Sequence, residues 1–267
     1  PLIARRIIMA RQRGAKVIVI DPRRTVTAKV LADIHLQLKP GTDVALTNAM
    51  VKTILEEGWL DNDFIARRTA GIEELEASLA AADIDELAEV AGIPTQAIVE
   101  AARIYAQAET GCILYNAGIA QHAAGIGNIE ALANLALVTG NYGRPGTGVN
   151  PLRGHLNGEG FGDMGPLPVY YPGFAQVNED TAARFERHWG VADLPSKPGM
   201  SYMDMMEQCD LLYVIGANPM CSAPDTGRVR ALLNRKKFLV VQDIFMTETA
   251  ELADLVLPAA AWAEKDG

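Results

Sequence analysis

The chain is predicted to be α/β, built on open, mainly parallel, Rossmann-like sheets, and three observations lead there. Short apolar runs rich in β-branched residues recur at Lys16–Ile20 (KVIVI), Cys112–Tyr115 (CILY), Leu211–Ile215 (LLYVI) and Phe238–Val241 (FLVV), the pattern of strands buried on both faces of a parallel sheet. Stretches with helical apolar spacing separate them. Polar or Gly/Pro turns follow the runs directly (DPRRT, PGTD, GANP, QD), at the carboxyl ends where open parallel sheets place ligands. Helix alternating with buried strand means α/β rather than a bundle or a sandwich.

Composition removes several function classes. With 267 residues, 49% of them hydrophobic, the chain can bury a sizeable core as one large domain or two smaller ones. A net charge of −9 opposes nonspecific nucleic-acid binding, which needs a basic surface. No run of about 18 apolar residues predicts a membrane span. The N-terminal stretch has helical spacing that leads into a strand, unlike a secretory signal, and a cytoplasmic location is expected. The chain begins without Met, as a fragment or processed chain would. Cys112, Cys209 and Cys221 are scattered with no C-x-x-C pair, so they build neither a zinc site nor an iron–sulfur cluster and are expected to be reduced thiols.

In chain order, Ile3 to Arg13 reads as an amphipathic helix burying Ile3, Ile7, Ile8 and Met9, ended by Gly14. After the first strand, Asp21 either accepts hydrogen bonds from a ribose or base or caps the next helix; Arg23 and Arg24 either meet phosphates or stay solvated. Ile34 to Leu38 is a second strand. PGTD follows it, with Asp43 placed to cap a helix from Val44 to Glu57. Residues 59–110 read as scaffolding: short helices around Asp61, Glu73–Ala82, Asp85–Val90 and Thr95–Ala108, with solvated acidic faces. From the Cys112–Tyr115 strand hangs NAGIAQHAAG, whose His122 reads as a structural or exposed histidine without an assigned role. Asn128 to Val138 is the next helix.

Gly140 to Gly165 holds nine glycines in 26 residues, a density that means tight turns or backbone lying against something. Within it, the Arg153 guanidinium is suited to grip a carboxylate or phosphate bidentately, or pairs with a carboxylate of the chain itself. Beyond an irregular Pro166–Phe174, helices are expected at Glu179–His188, Met203–Cys209 and Asp225–Asn234. Asn218, at the end of LLYVI, offers an amide to a base or ribose. Gln242, Asp243, Thr247 and Thr249 follow FLVV, as ligand contacts or as a turn capped by Asp243 or Thr247. No G-x-G-x-x-G follows a predicted strand, which disfavours a nicotinamide-dependent dehydrogenase.

GIAQHAAGIGNIEALANLALVTGNYGRPGTGVNPLRG with DMGPLPVYYPGF, VIVIDPRRTVTAKVLADIHLQLKPGTD, and IGANPM with VVQDIFMTETAELADLVLPAAAWAEKDG together resemble, in order, the central region of the alpha (catalytic) subunit of molybdenum- or tungsten-dependent formate dehydrogenases of the molybdopterin oxidoreductase family. The resemblance implies a bis-molybdopterin guanine dinucleotide cofactor carrying Mo or W. It implies a 4Fe-4S cluster and a metal-ligating cysteine or selenocysteine upstream, and no metal ligand within this stretch. It places Asp21, Arg23 and Asp43 at one guanine dinucleotide and Asn218, Gln242, Asp243, Thr247 and Thr249 at the other, with Gly118 and Gln121 of the G-x-x-Q-H pattern against the pterin. The N-P-x-R-G arginine, beside the metal and holding the substrate carboxylate, maps onto Arg153.

The family's usual G-Q-N-N-V-Q-G after that arginine is GHLNGEG here. His155 replaces an amide and Leu156 an asparagine, so either the pocket is tuned differently or the substrate is another small oxyanion. The expectation is therefore one α/β domain over residues 1–150 and a second, partial one over 151–267. Both are incomplete in this stretch and carry strand-end loops toward a shared crevice. The intact subunit is expected to oxidise formate to carbon dioxide, partnered by the rest of its own chain and by electron-transfer subunits. The stretch alone is expected to be inactive. The alternatives are a related enzyme acting on an oxyanion such as nitrate, or a non-catalytic α/β binding domain.

Overall fold

A computed structural model describes residues 2–155 and 157–266. The chain divides into two compact units, Pro1–Gly154 and His155–Gly267, where the sequence placed a boundary at residue 150. It is α/β with small parallel sheets.

The first unit runs α1 (Leu2–Gln12), β1 (Ile18–Ile20), α2 (Val26–Val30), β2 (Ile34–Leu36), α3 (Asp43–Glu56), α4 (Asn62–Arg68), α5 (Ile72–Ala80), α6 (Ile84–Ala91), α7 (Thr95–Ala106), β3 (Cys112–Tyr115), α8 (Ala117–Ala120), α9 (Gly125–Val138) and β4 (Gly148–Pro151). Strands β1 and β2 pair in parallel, as do β3 and β4. The core gathers around α3, whose Leu46, Met50, Val51 and Ile54 pack with Ile98 and Ala102 of α7, Leu135 of α9 and Leu36 of β2. Trimming one such leucine or isoleucine to alanine costs about 2–5 kcal/mol. Asp61, Asp83 and Thr25 cap α4, α6 and α2 through their side chains, satisfying first-turn N–H groups.

Three burial expectations in this unit are corrected. In α1 no residue is buried, and Ile3 and Ile8 are exposed. Strands β1 and β3 each have one face open, with Ile20 and Leu114 exposed. Apolar periodicity marks a face as coverable; these faces have nothing over them among the described residues.

The second unit comprises α10 (Gly158–Asp163), a small antiparallel pair β5 (Tyr170–Tyr171) and β6 (Ala175–Gln176), α11 (Glu179–Trp189), α12 (Tyr202–Gln208), β7 (Leu211–Ile215), α13 (Pro219–Ser222), α14 (Thr226–Asn234), β8 (Phe238–Asp243) and β9 (Leu255–Pro258). Strands β7, β8 and β9 form one parallel sheet in that order, with Leu211 opposite Phe238 and Val240 opposite Leu255. One face is closed by Met206 of α12 and Val229, Leu232 and Leu233 of α14, which pack on Val214, Leu239 and Val241. The other face is bare, which corrects the expectation that β7 and β8 are buried on both faces: Leu211, Tyr213, Ile215, Phe238, Leu255 and Leu257 are exposed, Ile215 to 63%. Tyr171 of the short hairpin stacks on Phe185, and Trp189 lies tilted against both rings. No described helix is long and apolar enough to cross a membrane.

Candidate functional site

Every residue singled out in the first unit except Asp43 lies on a turn or short helix just past the carboxyl end of a strand. Asp21 extends the β1–β2 pairing by donating its N–H to the Leu36 carbonyl at 3.3 Å. Its carboxylate then accepts the Arg23 N–H at 2.7 Å, the side-chain turn that aspartate favours. The turn is pinned from β2, where His35 Nε2 lies 3.0 Å from the Asp21 carbonyl and Gln37 Nε2 donates to the Pro22 carbonyl at 3.0 Å. Thr25 caps α2, so Asp21 does not. The Arg23 side chain is 84% exposed and its Nε stands 3.9 Å from Asp21, leaving the guanidinium able to turn to an anion.

At the end of β2, Gly41 takes φ +83°, open to glycine and strained for other residues, and the chain turns into α3. The expected cap is corrected: Thr42 occupies the N-cap position without a side-chain capping bond, and Asp43 is the first helical residue. Thr42 spends its hydroxyl on the Lys39 carbonyl at 2.7 Å. The half-buried Asp43 carboxylate makes no hydrogen bond among the described residues, in the first turn of a 14-residue helix whose dipole favours negative charge there. The carboxylate is therefore not spent on capping this helix.

The first turn of α9 packs beside that of α3: a Cβ on Gly127 would meet Val44 Cγ2 at 3.8 Å. Leading into α9, Asn116 caps α8 by accepting the Ala117 N–H at 2.7 Å. Gly118 and Gln121 are exposed, and a Cβ on Gly118 would meet nothing within 4 Å, so packing does not demand a glycine there. Buried Asn128 holds the segment by donating to the Ile119 carbonyl at 2.9 Å. His122 is exposed. On β4, the Leu152 N–H continues the pairing to the Tyr115 carbonyl at 2.7 Å, and exposed Arg153 follows directly. His155, also exposed, opens the second unit. Leu156 lies outside the described residues.

The start of this strand pair has a polar keystone. Asn141, fully buried, accepts the Gly111 N–H at 2.7 Å, donates to Thr139 Oγ1 at 3.0 Å, and accepts the Gly148 N–H on its backbone carbonyl at 2.9 Å. One residue thus ties the entry of β3 to the entry of β4. Tyr105 lies alongside, and burial pushes its phenol well above its ordinary pKa.

In the second unit Asn218, Gln242, Asp243, Thr247 and Thr249 all lie at the carboxyl end of the β7–β9 sheet. Gly216 N–H donates to the Gln242 carbonyl at 2.8 Å, and Tyr213 OH donates to Gln242 Oε1, leaving the Gln242 amide nitrogen outward. Asp243 accepts the Phe245 N–H at 3.1 Å, and Thr247 accepts the Ala250 N–H at 3.2 Å, so both close turns. Thr249 is fully buried. Its hydroxyl donates to Asn218 Oδ1 at 2.7 Å and accepts the Met220 N–H at 3.2 Å. Asn218 Nδ2 donates in turn to Glu248 Oε2 at 2.7 Å. Asn218 first, then the Glu248 backbone and the Cys221 thiol, hold the Glu248 carboxyl below its usual range. The Glu248 carboxylate in turn raises the Cys221 thiol.

Glu248 and Asn128 escaped the sequence reading. The only signal for Glu248 was its place between two threonines already singled out. Asn128 was hidden inside a helix, where its long-range bond to a carbonyl nine residues earlier has no local signature. The three cysteines are free thiols. Among the described residues no group of three or more His, Cys, Asp or Glu side chains gathers as a metal site.

The protein is α/β, and its parallel strands carry amides, carboxylates and an arginine at their carboxyl ends, where open parallel sheets place ligands. The chain matches the molybdopterin oxidoreductase family over residues 1–267 and belongs to it. It is 48% identical, over its whole length, to the F420-dependent formate dehydrogenase subunit alpha of Methanocaldococcus jannaschii, of which it covers 40%, and 38% identical to formate dehydrogenase H of Escherichia coli, again over its whole length and 38% of the relative. The assimilatory nitrate reductase catalytic subunit of Bacillus subtilis is 37% identical over 97% of the chain and 37% of the relative. Among solved structures, acetylene hydratase from Pelobacter acetylenicus superposes with a TM-score of 0.74 at 25% identity, over 97% of this chain and 38% of that one. The chain thus spans about 40% of the length of three curated formate dehydrogenase alpha subunits that it matches.

Proposed function

We propose that the chain is the central cofactor-binding part of the catalytic subunit of a molybdenum or tungsten formate dehydrogenase, acting with the rest of that subunit to oxidise formate to carbon dioxide. The observation that carries this is full-length similarity, at 46–48% identity, to three formate dehydrogenase alpha subunits. The nitrate reductase relative is more distant, which ranks nitrate second as a substrate. The name of the first relatives makes F420 the electron acceptor to test first.

The strand-end groups fit a bis-guanine-dinucleotide cofactor in kind. Asp43, at a helix N-terminus and without a hydrogen-bond partner among the described residues, can accept from the N–H groups of a base, and exposed Arg23 beside the Asp21 turn can meet a phosphate. The open space over Gly118 lets a flat ring lie on backbone, with Gln121 beside it. Asn218, Gln242 and Asp243, with Thr247 and Thr249 behind them, offer polar groups to a second nucleotide. When bound, the cofactor supplies the two-electron redox chemistry. The protein's part is to orient and to offset charge. Arg153 would hold the formate carboxylate bidentately and aim its C–H, and His155, two residues on in the chain, is the second residue proposed to act on the substrate.

The test uses the whole protein: elemental analysis for Mo, W and Fe, and formate- and nitrate-dependent electron transfer with artificial acceptors and with F420. Arg153→Lys keeps the charge but not the planar fork and is expected to lower kcat/KM for formate by roughly a hundredfold, as loss of a transition-state contact does. A wild-type protein that holds neither metal, or reduces nitrate and ignores formate, refutes the reading.

A further inference from the structure

Helix α11 is fixed to the second unit by its aromatic side. Phe185 stacks on Tyr171 with ring centroids 4.8 Å apart, and the Trp189 ring lies 4.7 Å from that of Phe185. Tyr171 donates its hydroxyl to the Pro195 carbonyl at 2.7 Å, and Glu186 Oε1 accepts the Leu194 N–H at 2.9 Å. The one acid in the second half of the helix is thereby held against the loop that follows it.

Arg184, Arg187 and His188 are left on the outside. Spacings of three and four residues put them on one face of the helix. All three are exposed, and their side chains make no ion pair or hydrogen bond among the described residues. With Phe185 they line a shallow hollow of about 480 Å³, and the Arg184 guanidinium lies 5.2 Å from the Phe185 ring centroid, a contact that steadies its flat fork. Trp189, next in the chain, is 47% exposed. In a chain of net charge −9 this is a local reversal of sign. The dipole at the carboxyl end of the helix favours Arg187 and His188, but Arg184 lies a turn earlier and extends the charge beyond what the dipole explains.

We propose that this face of α11 docks an acidic surface of a separate protein. Arginine forks match carboxylates bidentately, and arginine and tryptophan are the residue types that anchor interfaces. Another part of the same subunit is the rival occupant, since the chain spans about 40% of the length of three related alpha subunits. Charge decides between them. Permanent burial of two guanidinium groups carries a desolvation cost that the carboxylates must offset, and permanent interfaces are the more apolar ones. The bare apolar face of β7–β9 has the character of such an interface, whereas the α11 face has that of a reversible, salt-sensitive one. The inference does not depend on the cofactor reading.

The experiment uses the whole protein and a synthetic helical peptide with glutamates three and four residues apart, with a glutamine version as control, and reads fluorescence anisotropy at low and high salt. The glutamate peptide is expected to bind roughly tenfold tighter than the control at low salt and to lose most of that advantage at high salt, because exposed charges are screened. Arg184→Gln combined with Arg187→Gln should weaken its binding roughly two- to thirtyfold, the scale of two exposed ion pairs, at an unchanged thermal midpoint. Arg230→Gln combined with Arg235→Gln, which removes the same charge from other exposed positions of this unit, should bind as the wild type does. Phenylglyoxal should modify Arg184 and Arg187 in the whole protein, and more slowly with the glutamate peptide present. Equal binding of the two peptides, wild-type binding by the Arg184 and Arg187 double variant, or an equal loss in the Arg230 and Arg235 double variant overturns the proposal. So does failure of both arginines to react in the whole protein, which would mean that its own chain covers them.

Discussion

Replacing Asn141 by alanine tests how the arginine-bearing end of the first unit is held in place. Asn141 is the fully buried link between the starts of β3 and β4, and Arg153 sits just past the far end of β4. Alanine leaves the Gly111 N–H without an acceptor, and an unsatisfied buried donor costs about 1–3 kcal/mol. Thr139 loses a donor but keeps its own bond to the Leu135 carbonyl at 2.9 Å, so it adds little. With the small cavity left by the amide, local opening should become easier by about 2–4 kcal/mol. Amide hydrogen exchange reads this directly: Gly111 and the strand after it should exchange on the order of 30- to 1,000-fold faster. Asn141→Asp should behave similarly at neutral pH, because a buried carboxylate replaces the amide. Burial raises the folded-state pKa of such an acid, so the added stability of its protonated form is present at low pH and lost as pH rises through that pKa. Protection should therefore recover on acidification in Asn141→Asp and not in Asn141→Ala. Unchanged Gly111 exchange in Asn141→Ala would refute the keystone argument.

Other outcomes follow from the same geometry. Gly111→Ala should destabilise by about 1–3 kcal/mol, since its Cβ would lie 2.7 Å from Tyr105 Cε2 and 2.8 Å from Asn141 Nδ2; exchange and thermal midpoint check it. Thr249→Val strands the buried Met220 N–H and should speed its exchange by about tenfold or more, with α14 unaffected. Cys221 should alkylate with a midpoint above that of an ordinary thiol, because the neighbouring Glu248 carboxylate disfavours the thiolate; Glu248→Gln should lower that midpoint and speed alkylation by iodoacetamide at a fixed pH of about 8.

Much of the element order was legible because its signals are local. Cys112–Tyr115 and Leu211–Ile215 are strands with the bounds their apolar runs predict; the helix expected at Val44–Glu57 is shifted one residue earlier at both ends, and the one expected at Asn128–Val138 starts at Gly125. Strand β9 was not legible: LVLP is short, ends in proline and follows an Ala-Asp pair, and only pairing with β8 makes it a strand. Asp43 shows the limit at a single residue. An aspartate before an apolar helical stretch reads as a cap, yet the turn after β2 puts Thr42 at that position and sets the carboxylate free for other use.

By itself the sequence determined the α/β class, most of the helices, the strands at β1, β2, β3, β7 and β8, and which turns follow them, because each depends on near neighbours through backbone propensity and apolar spacing. The tertiary structure alone decided which apolar faces are covered, which polar groups are already spent on the protein, and which side chains meet. Thr249 acts on Asn218 from 31 residues away, and Asn141 on Gly111 from 30. Contacts of that separation come from the packing of whole elements, and no local pattern encodes them.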